Sequence, residues 1–332
     1  MKRILVTGGA GYIGSHTCKH LKLHGYEPVC YDNLSTGHAD FVKWGPMERG
    51  DLWDKGKLID IFKTYAPVAV IHFAAHAYVG ESVANPFKYY RNNVGGTLCL
   101  LEAMRESGQS RMVFSSSCAT YGVPETRRIT EECRQKPINP YGWTKWMIEQ
   151  ILRDLSARHE IRYMALRYFN AAGADAESEI GERHHPETHV IPLAIHSARA
   201  QVPFNVFGTD FPTPEGTAVR DYVHVEDLAR AHLQAVEYLL DGGASDCVNL
   251  GTGQGTSVRQ IVDLLKAMGL DVNDRPAPRR EGDSPYLVAD VSKARRVMGW
   301  EAAHKDIGKI LETAVNWHRR DEKGGASMEV IS

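Results

Sequence analysis

The chain has 332 residues, of which 43% are hydrophobic, enough to fill one large α/β core and a smaller one. Its formal net charge of -2, with Lys and Arg spread along the length, argues against nucleic acid as a partner. After Met1-Lys2-Arg3 only Ile4-Leu5-Val6 is apolar before glycines begin, too short for a signal-peptide core or a membrane span, so a cytoplasmic protein is expected.

Short β-branched runs at 3–7, 28–32, 68–75, 111–117 and 162–168 alternate with helical patterns over the first 170 residues, the rhythm of parallel βαβ units. Ile13, Thr17 and Leu21, and later Val94, Leu98, Leu101 and Met104, mark two crossover helices that stop at Gly25 and Gly108. From Gly173 to Pro214 the rhythm breaks into acidic, His-rich and Pro-containing stretches, as expected of a lobe outside the sheet. A helix at Asp227–Leu240 and a strand at Cys247–Leu250 return the chain to the sheet. The fold expected is α/β: a Rossmann-type doubly wound parallel sheet with a smaller α/β substrate domain. Residues 1–172 with 220–254 form the first unit, 173–219 with 255–322 the second, and 323–332 a frayed tail. The six cysteines never approach a C-x-x-C or zinc-ligand spacing; reduced thiols and no metal are expected.

The first strand ends in Gly8-Gly9-Ala10-Gly11-Tyr12-Ile13-Gly14 and enters a helix. Without side chains at Gly8 and Gly11 the backbone can turn tightly and approach a pyrophosphate, whose charge meets the N–H groups of the helix start; Gly14 lets that helix pack on the strand. Gly8, Gly11, Tyr12, Ile13 and Gly14 are therefore cofactor candidates. The next strand ends at Asp32, 18 residues beyond Gly14, where a carboxylate can accept from a ribose diol and would repel a 2′-phosphate. NAD is favoured over NADP. Asn33, Asp51-Leu52 and Phe73-Ala74-Ala75 lie at following strand ends and are further candidate contacts. His72 reads as a satisfied core imidazole.

Ser115-Ser116-Ser117 ends the fifth strand, where ligands of open α/β sheets bind. Asn139-Pro140 then starts a helix that places Tyr141 and Lys145 four apart on one face. A phenol titrates near 10, and acting as a base at neutral pH requires stabilising its anion by roughly 3 units, or about 4 kcal/mol. A nearby ammonium and the positive nicotinamide supply that, while the Ser117 hydroxyl can bond the oxygen that becomes a carbonyl.

With Thr7–His16, Val79-Gly80-Glu81-Ser82, Asn92-Asn93-Val94, Tyr141–Lys145, Leu166–Asn170, Val219–Val225 and Pro278–Asp283, the chain from Lys2 to about Trp317 resembles the UDP-glucose (UDP-galactose) 4-epimerases of the extended short-chain dehydrogenase/reductase family. The resemblance implies Tyr141 as catalytic base, Lys145 as the residue that positions NAD and lowers the tyrosine pKa, and Ser117 as the holder of the reacting hydroxyl. It implies cofactor contacts at Phe73, Asn93, Tyr141, Lys145 and Phe169, and contacts to UDP from Asn170, Arg220, Arg280 and Asp283. Two guanidinium forks outside the dinucleotide core suit a second diphosphate. Val190 is counted with the substrate positions, and Asn205-Val206-Phe207 suits an extended edge beside the base. Ala77 stands where some relatives carry a lysine that contacts the cofactor. Leu287 falls where some relatives carry a tyrosine next to the sugar, and the runs Ala77–Ser82 and Ser117–Gly122 also resemble the UDP-xylose/UDP-arabinose 4-epimerases. UDP-xylose/UDP-arabinose or UDP-N-acetylhexosamine epimerisation therefore stays open beside the hexose reaction. A 4,6-dehydratase would need carboxylates after the fifth strand, where Cys118 and Ala119 stand, and a non-catalytic NAD sensor would not need the Tyr141/Lys145 pair. The reaction implied is transient oxidation at C4, rotation of the ketosugar and hydride return, on tightly held NAD. A homodimer through helices at Val94–Ser107 and Tyr141–His159 is expected.

Overall fold

The structure, a computed structural model, describes residues 1–280 and 282–321. The tail expected at 323–332 lies outside the described residues. The strands are β1 Lys2–Thr7, β2 Tyr26–Asp32, β3 Met47–Arg49, β4 Ala69–His72, β5 Arg111–Ser117, β6 Arg162–Tyr168, β7 Asn170–Ala172, β8 Phe204–Phe207, β9 Val219–His224, β10 Asp246–Leu250, β11 Gly255–Ser257, β12 Asp274–Ala277 and β13 Tyr286–Leu287. The helices are α1 Tyr12–Leu23, α2 Lys55–Tyr65, α3 Val79–Ala84, α4 Pro86–Tyr89, α5 Gly96–Glu106, α6 Pro140–Ala157, α7 Val190–Ala200, α8 Val225–Leu240, α9 Val258–Ala267, α10 Ser292–Met298 and α11 Ile307–Asp321.

Seven strands form one sheet in the order β10-β6-β5-β4-β1-β2-β3, every neighbouring pair parallel. Successive side chains of β1 are buried on opposite faces: Ile4 and Val6 meet α1 and α8, whereas Leu5 meets the layer of α2, α5 and α6. Such a two-sided strand must be apolar throughout, which is why the strands read as continuous runs. Each fully buried Leu, Ile or Val contributes about 1.5–3 kcal/mol by leaving water. The strand order reverses direction between β1 and β4, and a crevice opens at their carboxyl ends, the ordinary ligand position in such sheets.

The segment expected to run as a strand through Ala75 stops at His72. Phe73 N–H and Ala74 N–H both donate to Thr7 O, at 2.9 and 3.1 Å, so the chain bends across the end of β1 instead of continuing its ladder. The helix expected from Val94 begins as a π-helical turn over Tyr90–Gly95 and becomes α5 at Gly96. Leu98, part of the apolar period, is 42% exposed. His72 is buried between the Thr7 and Thr97 hydroxyls, and burial pushes it down to about 3, so it is a satisfied neutral imidazole.

A second core joins α7, α9 and α11 to β7, β8 and β9 through Ile191, Ile195, Val206, Tyr222, Ile261, Leu265 and Leu311. A smaller sheet centres on β9, which pairs antiparallel with β11 and parallel with β13 and β7. Parallel β8 and β12 form a two-stranded edge. Ala294 of α10 and Trp300 pack back into the core of the large sheet beside Leu228 and Ala231, and thereby tie the two units together.

Candidate active site

The glycine turn is shaped by close approach. Gly8 has φ +73°, and a Cβ there would lie 2.6 Å from Ala74 N; a Cβ at Gly14 would lie 2.2 Å from Gly8 O. Gly11 is the N-cap of α1 with no side-chain cap and no acidic residue in the first turn. The N–H groups of Tyr12, Ile13 and Gly14 therefore begin a helix whose positive end faces the crevice, the arrangement that receives a diphosphate. Tyr12 is itself buried, its hydroxyl donating to Gly173 O. Asp32 closes β2. Its carboxylate accepts from Ala10 N at 3.0 Å and Leu34 N at 2.8 Å, so it both caps its turn and keeps further lone pairs. Burial raises its pKa and the two amides hold it back. Asn33 donates to the Asp51 carboxylate at 2.8 Å, and Leu52 is buried beneath. These residues stand at the carboxyl ends of their strands, with Phe73-Ala74 crossing over Gly8 and the Phe73 ring packed 4.5 Å from that of His232, and the set fits NAD.

Facing this cradle, β5 delivers Ser117 and α6 delivers Tyr141 and Lys145. Asn139 accepts from Gly142 N at 2.8 Å and Pro140 occupies the first helical position, so α6 starts where its sequence signals place it. Burial pushes the Tyr141 phenol up to about 12, with a hydrogen bond from Ser117 pulling the other way. Burial pushes Lys145 down to about 7, against the pull of Glu149. Lys145 Nζ donates to Ser115 O at 2.7 Å and stands 5.7 Å from the centre of the Tyr141 ring.

Asn93, expected as a cofactor contact, is tied into the protein by its side chain. Its Oδ1 accepts from His76 N and Asn92 Nδ2, and its Nδ2 donates to His76 O and the Thr144 hydroxyl. All four hydrogen bonds of the amide are spent inside the protein, so Asn93 fixes the 73–76 segment against α6. Beneath Lys145 lies a network that sequence reasoning missed. Glu149 takes a two-pronged pair from Arg167, at 2.9 and 2.6 Å, and bonds from Ser116 and Gln135. Arg167 continues to Tyr121, which donates to Asn249. The available signals are Glu149 one turn after Lys145 and an arginine inside an otherwise apolar strand.

The second set of candidates gathers on β9 and β13. Arg220 donates to Val219 O and Ser284 O at 2.9 and 2.8 Å and lies 3.3 Å from the Asp283 carboxylate. Arg280 reaches the other oxygen of Asp283 at 3.1 Å and lies over the Phe207 ring at 5.0 Å. Asp283 therefore aligns both guanidiniums. Asp221, the neighbouring carboxylate, is buried and takes bonds from Thr252, Gly253 and Ala289 instead. Asn205 and Phe207 are exposed on one face of β8, whereas Val206 points into the lobe core and offers only backbone to a ligand. Asn170 opens β7 and Val190 opens α7, both half-buried. Phe169 packs with Leu287, and Leu287 is in register with Arg220.

A glycine cradle at the reversal point of a parallel sheet, with a Tyr-x-x-x-Lys pair of half-buried Tyr141 and buried Lys145, defines a nicotinamide-dependent enzyme that works on a carbinol. The chain belongs to the NAD dependent epimerase/dehydratase family, whose sequence profile matches residues 4–251. It is similar to the UDP-glucose 4-epimerase of Rhizobium meliloti (strain 1021), 54% identical over 97% of this chain and 98% of that one. A crystal structure of the UDP-glucose 4-epimerase from Brucella ovis in complex with NAD is 52% identical, with TM-score 0.93 over 95% of this chain and 98% of that one. The UDP-glucose 4-epimerase of Stenotrophomonas maltophila, solved with NAD and formylated UDP-arabinopyranose, is 37% identical with TM-score 0.95 over 98% of this chain and all of that one. The cofactor is NAD.

Proposed function

We propose that this chain interconverts UDP-glucose and UDP-galactose by transient oxidation at C4. The observation that carries the reading is the meeting of Ser117, Tyr141 and Lys145 with the glycine cradle at one crevice, beside the Arg220–Asp283–Arg280 group. Bound NAD supplies the hydride acceptor and donor. Tyr141 takes the proton of the C4 hydroxyl at its phenolic oxygen and later returns it. Ser117 holds the same sugar oxygen, and Lys145 supplies positive charge to the phenolate. Arg220 and Arg280, held in place by Asp283, bind the diphosphate, with Asn170, Val190 and the 205–207 edge around the nucleotide. The pocket must grip UDP and leave the sugar free to turn.

Residues 1–172 and 220–254 are assigned as the NAD-binding unit, which also lends Ser117, Tyr141, Asn170 and Arg220 to the substrate, and 173–219 and 255–322 as the UDP-sugar unit. A homodimer through α5 and α6 is supported by Leu98 and Met147, exposed apolar residues on those helices. A cytoplasmic location is supported by six free cysteines. Among the described residues no helix is long and apolar enough to cross a membrane. Leu287 beside Phe169, together with the arabinopyranose nucleotide held by the Stenotrophomonas relative, favours pentose turnover as a second activity.

The test is incubation of the purified protein, with no NAD added, with UDP-glucose, UDP-galactose, UDP-xylose and UDP-N-acetylglucosamine, followed by separation of products. Interconversion of the two hexoses is expected. A protein that carries no dinucleotide and leaves every C4 centre unchanged would refute the reading.

A further inference from the structure

The segment between β7 and α7 folds four ligand-type side chains onto one point. His189 Nδ1 lies 2.8 Å from Glu182 Oε1 and 3.0 Å from Glu187 Oε1. His184 Nδ1 lies 3.3 Å from Glu182 Oε1 and 3.7 Å from Glu187 Oε2. One nitrogen or oxygen from each of the four residues falls within 4.8 Å of all the others. The two carboxylates occupy the buried end and the two imidazoles the more open end.

Hydrogen bonding explains only part of this arrangement: Glu187 Oε1 accepts from Thr188 N, His189 N and the His189 ring, at 2.7, 2.8 and 3.0 Å. Glu187 is 2% exposed, yet its Oε2 accepts no hydrogen bond, and His184 Nδ1 has no hydrogen-bond partner although a carboxylate oxygen is 3.3 Å away. A buried carboxylate oxygen left without a donor is costly. Hydrogen bonds draw donors and acceptors together pairwise along lines, whereas a cation draws all its ligands toward one centre. A tetrahedral site with metal–nitrogen and metal–oxygen bonds of about 2.0–2.1 Å has ligand atoms about 3.3 Å apart. The imidazole–carboxylate separations, 2.8–3.7 Å with each Glu187 oxygen facing a different imidazole, bracket that value, and one ligand atom per residue keeps every edge within 4.8 Å. Two carboxylates and two neutral imidazoles also balance one divalent cation.

We propose that Glu182, His184, Glu187 and His189 form a structural zinc site. The sequence expectation of no metal considered cysteine spacing; this pattern, Glu-x-His-x-x-Glu-x-His, is built without a cysteine. Four protein ligands close the coordination shell, so the ion holds structure and activates no water. It lies where three parts of the fold meet. Glu182 O accepts from Trp317 of α11 at 2.9 Å, and His189 immediately precedes Val190 at the start of α7. The His184 ring stands edge-on to Tyr12 of the glycine fingerprint and to Tyr78. The other acidic group nearby, Asp175, Glu177 and Glu179, already surrounds the Lys19 ammonium at 2.7–2.9 Å and has no such vacancy.

The holoprotein, purified free of any affinity tag and of chelators, is expected to hold about one zinc per chain by elemental analysis. After chelation, zinc should raise Tm by at least about 5 °C. Cobalt in its place should give the visible bands of a tetrahedral site without a thiolate charge-transfer band. His184→Ala/His189→Ala is expected to lose the metal and the Tm response. Glu187→Gln, which keeps side-chain shape, is expected to cut the zinc content at least tenfold while the circular dichroism stays native. Metal-free wild type with no response to zinc, a response that survives in both variants, or a thiolate band with cobalt each overturns the proposal.

Discussion

Replacing Lys145 with methionine keeps a buried stem and removes the charge along with one hydrogen bond, to Ser115 O. Burial, partly offset by the Ser117 hydrogen bond, holds Tyr141 at about 12, so releasing its proton near pH 8 costs about 5 kcal/mol before the lysine contributes. A unit charge 5.7 Å from the ring contributes about 3 kcal/mol at an effective dielectric of about 20, equivalent to roughly two pKa units. Burial, against the pull of Glu149, pushes Lys145 to about 7, but a phenolate beside it raises it again, so the two groups titrate as a pair. The sign follows: the phenolate is the active base, and removing a cation raises its pKa. Lys145→Met is therefore expected to lower kcat about 100-fold near pH 8 and to move the rising limb of the pH–rate profile upward by roughly two units. The assay is conversion of UDP-galactose to UDP-glucose between pH 6 and 10, with NAD content measured on the same samples. A variant that keeps its NAD, turns over within threefold of wild type and shows an unmoved limb would refute the electrostatic role.

Tyr141→Phe is expected to retain NAD and UDP affinity and to lose about 10²–10⁴-fold in kcat; ordinary turnover by it would reject Tyr141 as the base. Gly14→Ala places a Cβ 2.2 Å from Gly8 O, so the purified variant should carry little NAD, as read by chromatography of the released cofactor. Arg167→Met leaves Glu149 buried without its partner and should cost about 3–5 kcal/mol in urea unfolding, with most of the loss recovered in Arg167→Met/Glu149→Leu. If the proposed homodimer forms through α5 and α6, Leu98→Asp should be monomeric in light scattering, and a monomeric wild type would remove the dimer from the proposal.

The parallel sheet was legible because strands buried on both faces carry apolar runs through their middles, and Ile4, Leu5 and Val6 satisfy both layers at once. The cradle and the Tyr141/Lys145 pair were legible because their chemistry is local in sequence: a turn, a helix start and a spacing of four. What escaped depends on residues far apart in the chain. Asn93 reads as a polar candidate for a ligand, but its amide closes on His76 and on Thr144, 51 residues away. Asp283 reads as another contact for the nucleotide, yet it aligns Arg220, 63 residues earlier. The end of β4 was overrun because an apolar run says nothing about where the chain must bend, and the bend is set by Thr7 O taking two amides. The Glu182–His189 cluster lay in plain sight in the sequence, but convergence of its four side chains requires the loop's own path.

The two groups of charged and reactive side chains stand on different scaffolds, and what lies between them bears on inversion at C4. Ser117 and Tyr141 are fixed to the large sheet and α6, whereas Arg220 and Asp283 belong to β9 and the segment before β13. The cluster joining them consists of Tyr121, Ile129, Phe169, Leu287 and Ala289, with Cys118 next to Ser117. Apart from the tyrosine hydroxyl, which is already committed to Asn249, its side chains offer no strong directional hydrogen bond. A sugar anchored by its diphosphate and lying against Leu287, a half-buried member of that cluster, meets dispersion contacts, which do not prefer one face of the ring over the other. Hydrogen bonds at the same place would favour one epimer and trap the ketosugar before it turns. On this reasoning a polar group introduced at Leu287 should slow epimerisation more than it weakens UDP binding; Leu287→Asn lowering kcat with little change in UDP affinity is the expected result, and loss of affinity at constant kcat would contradict it.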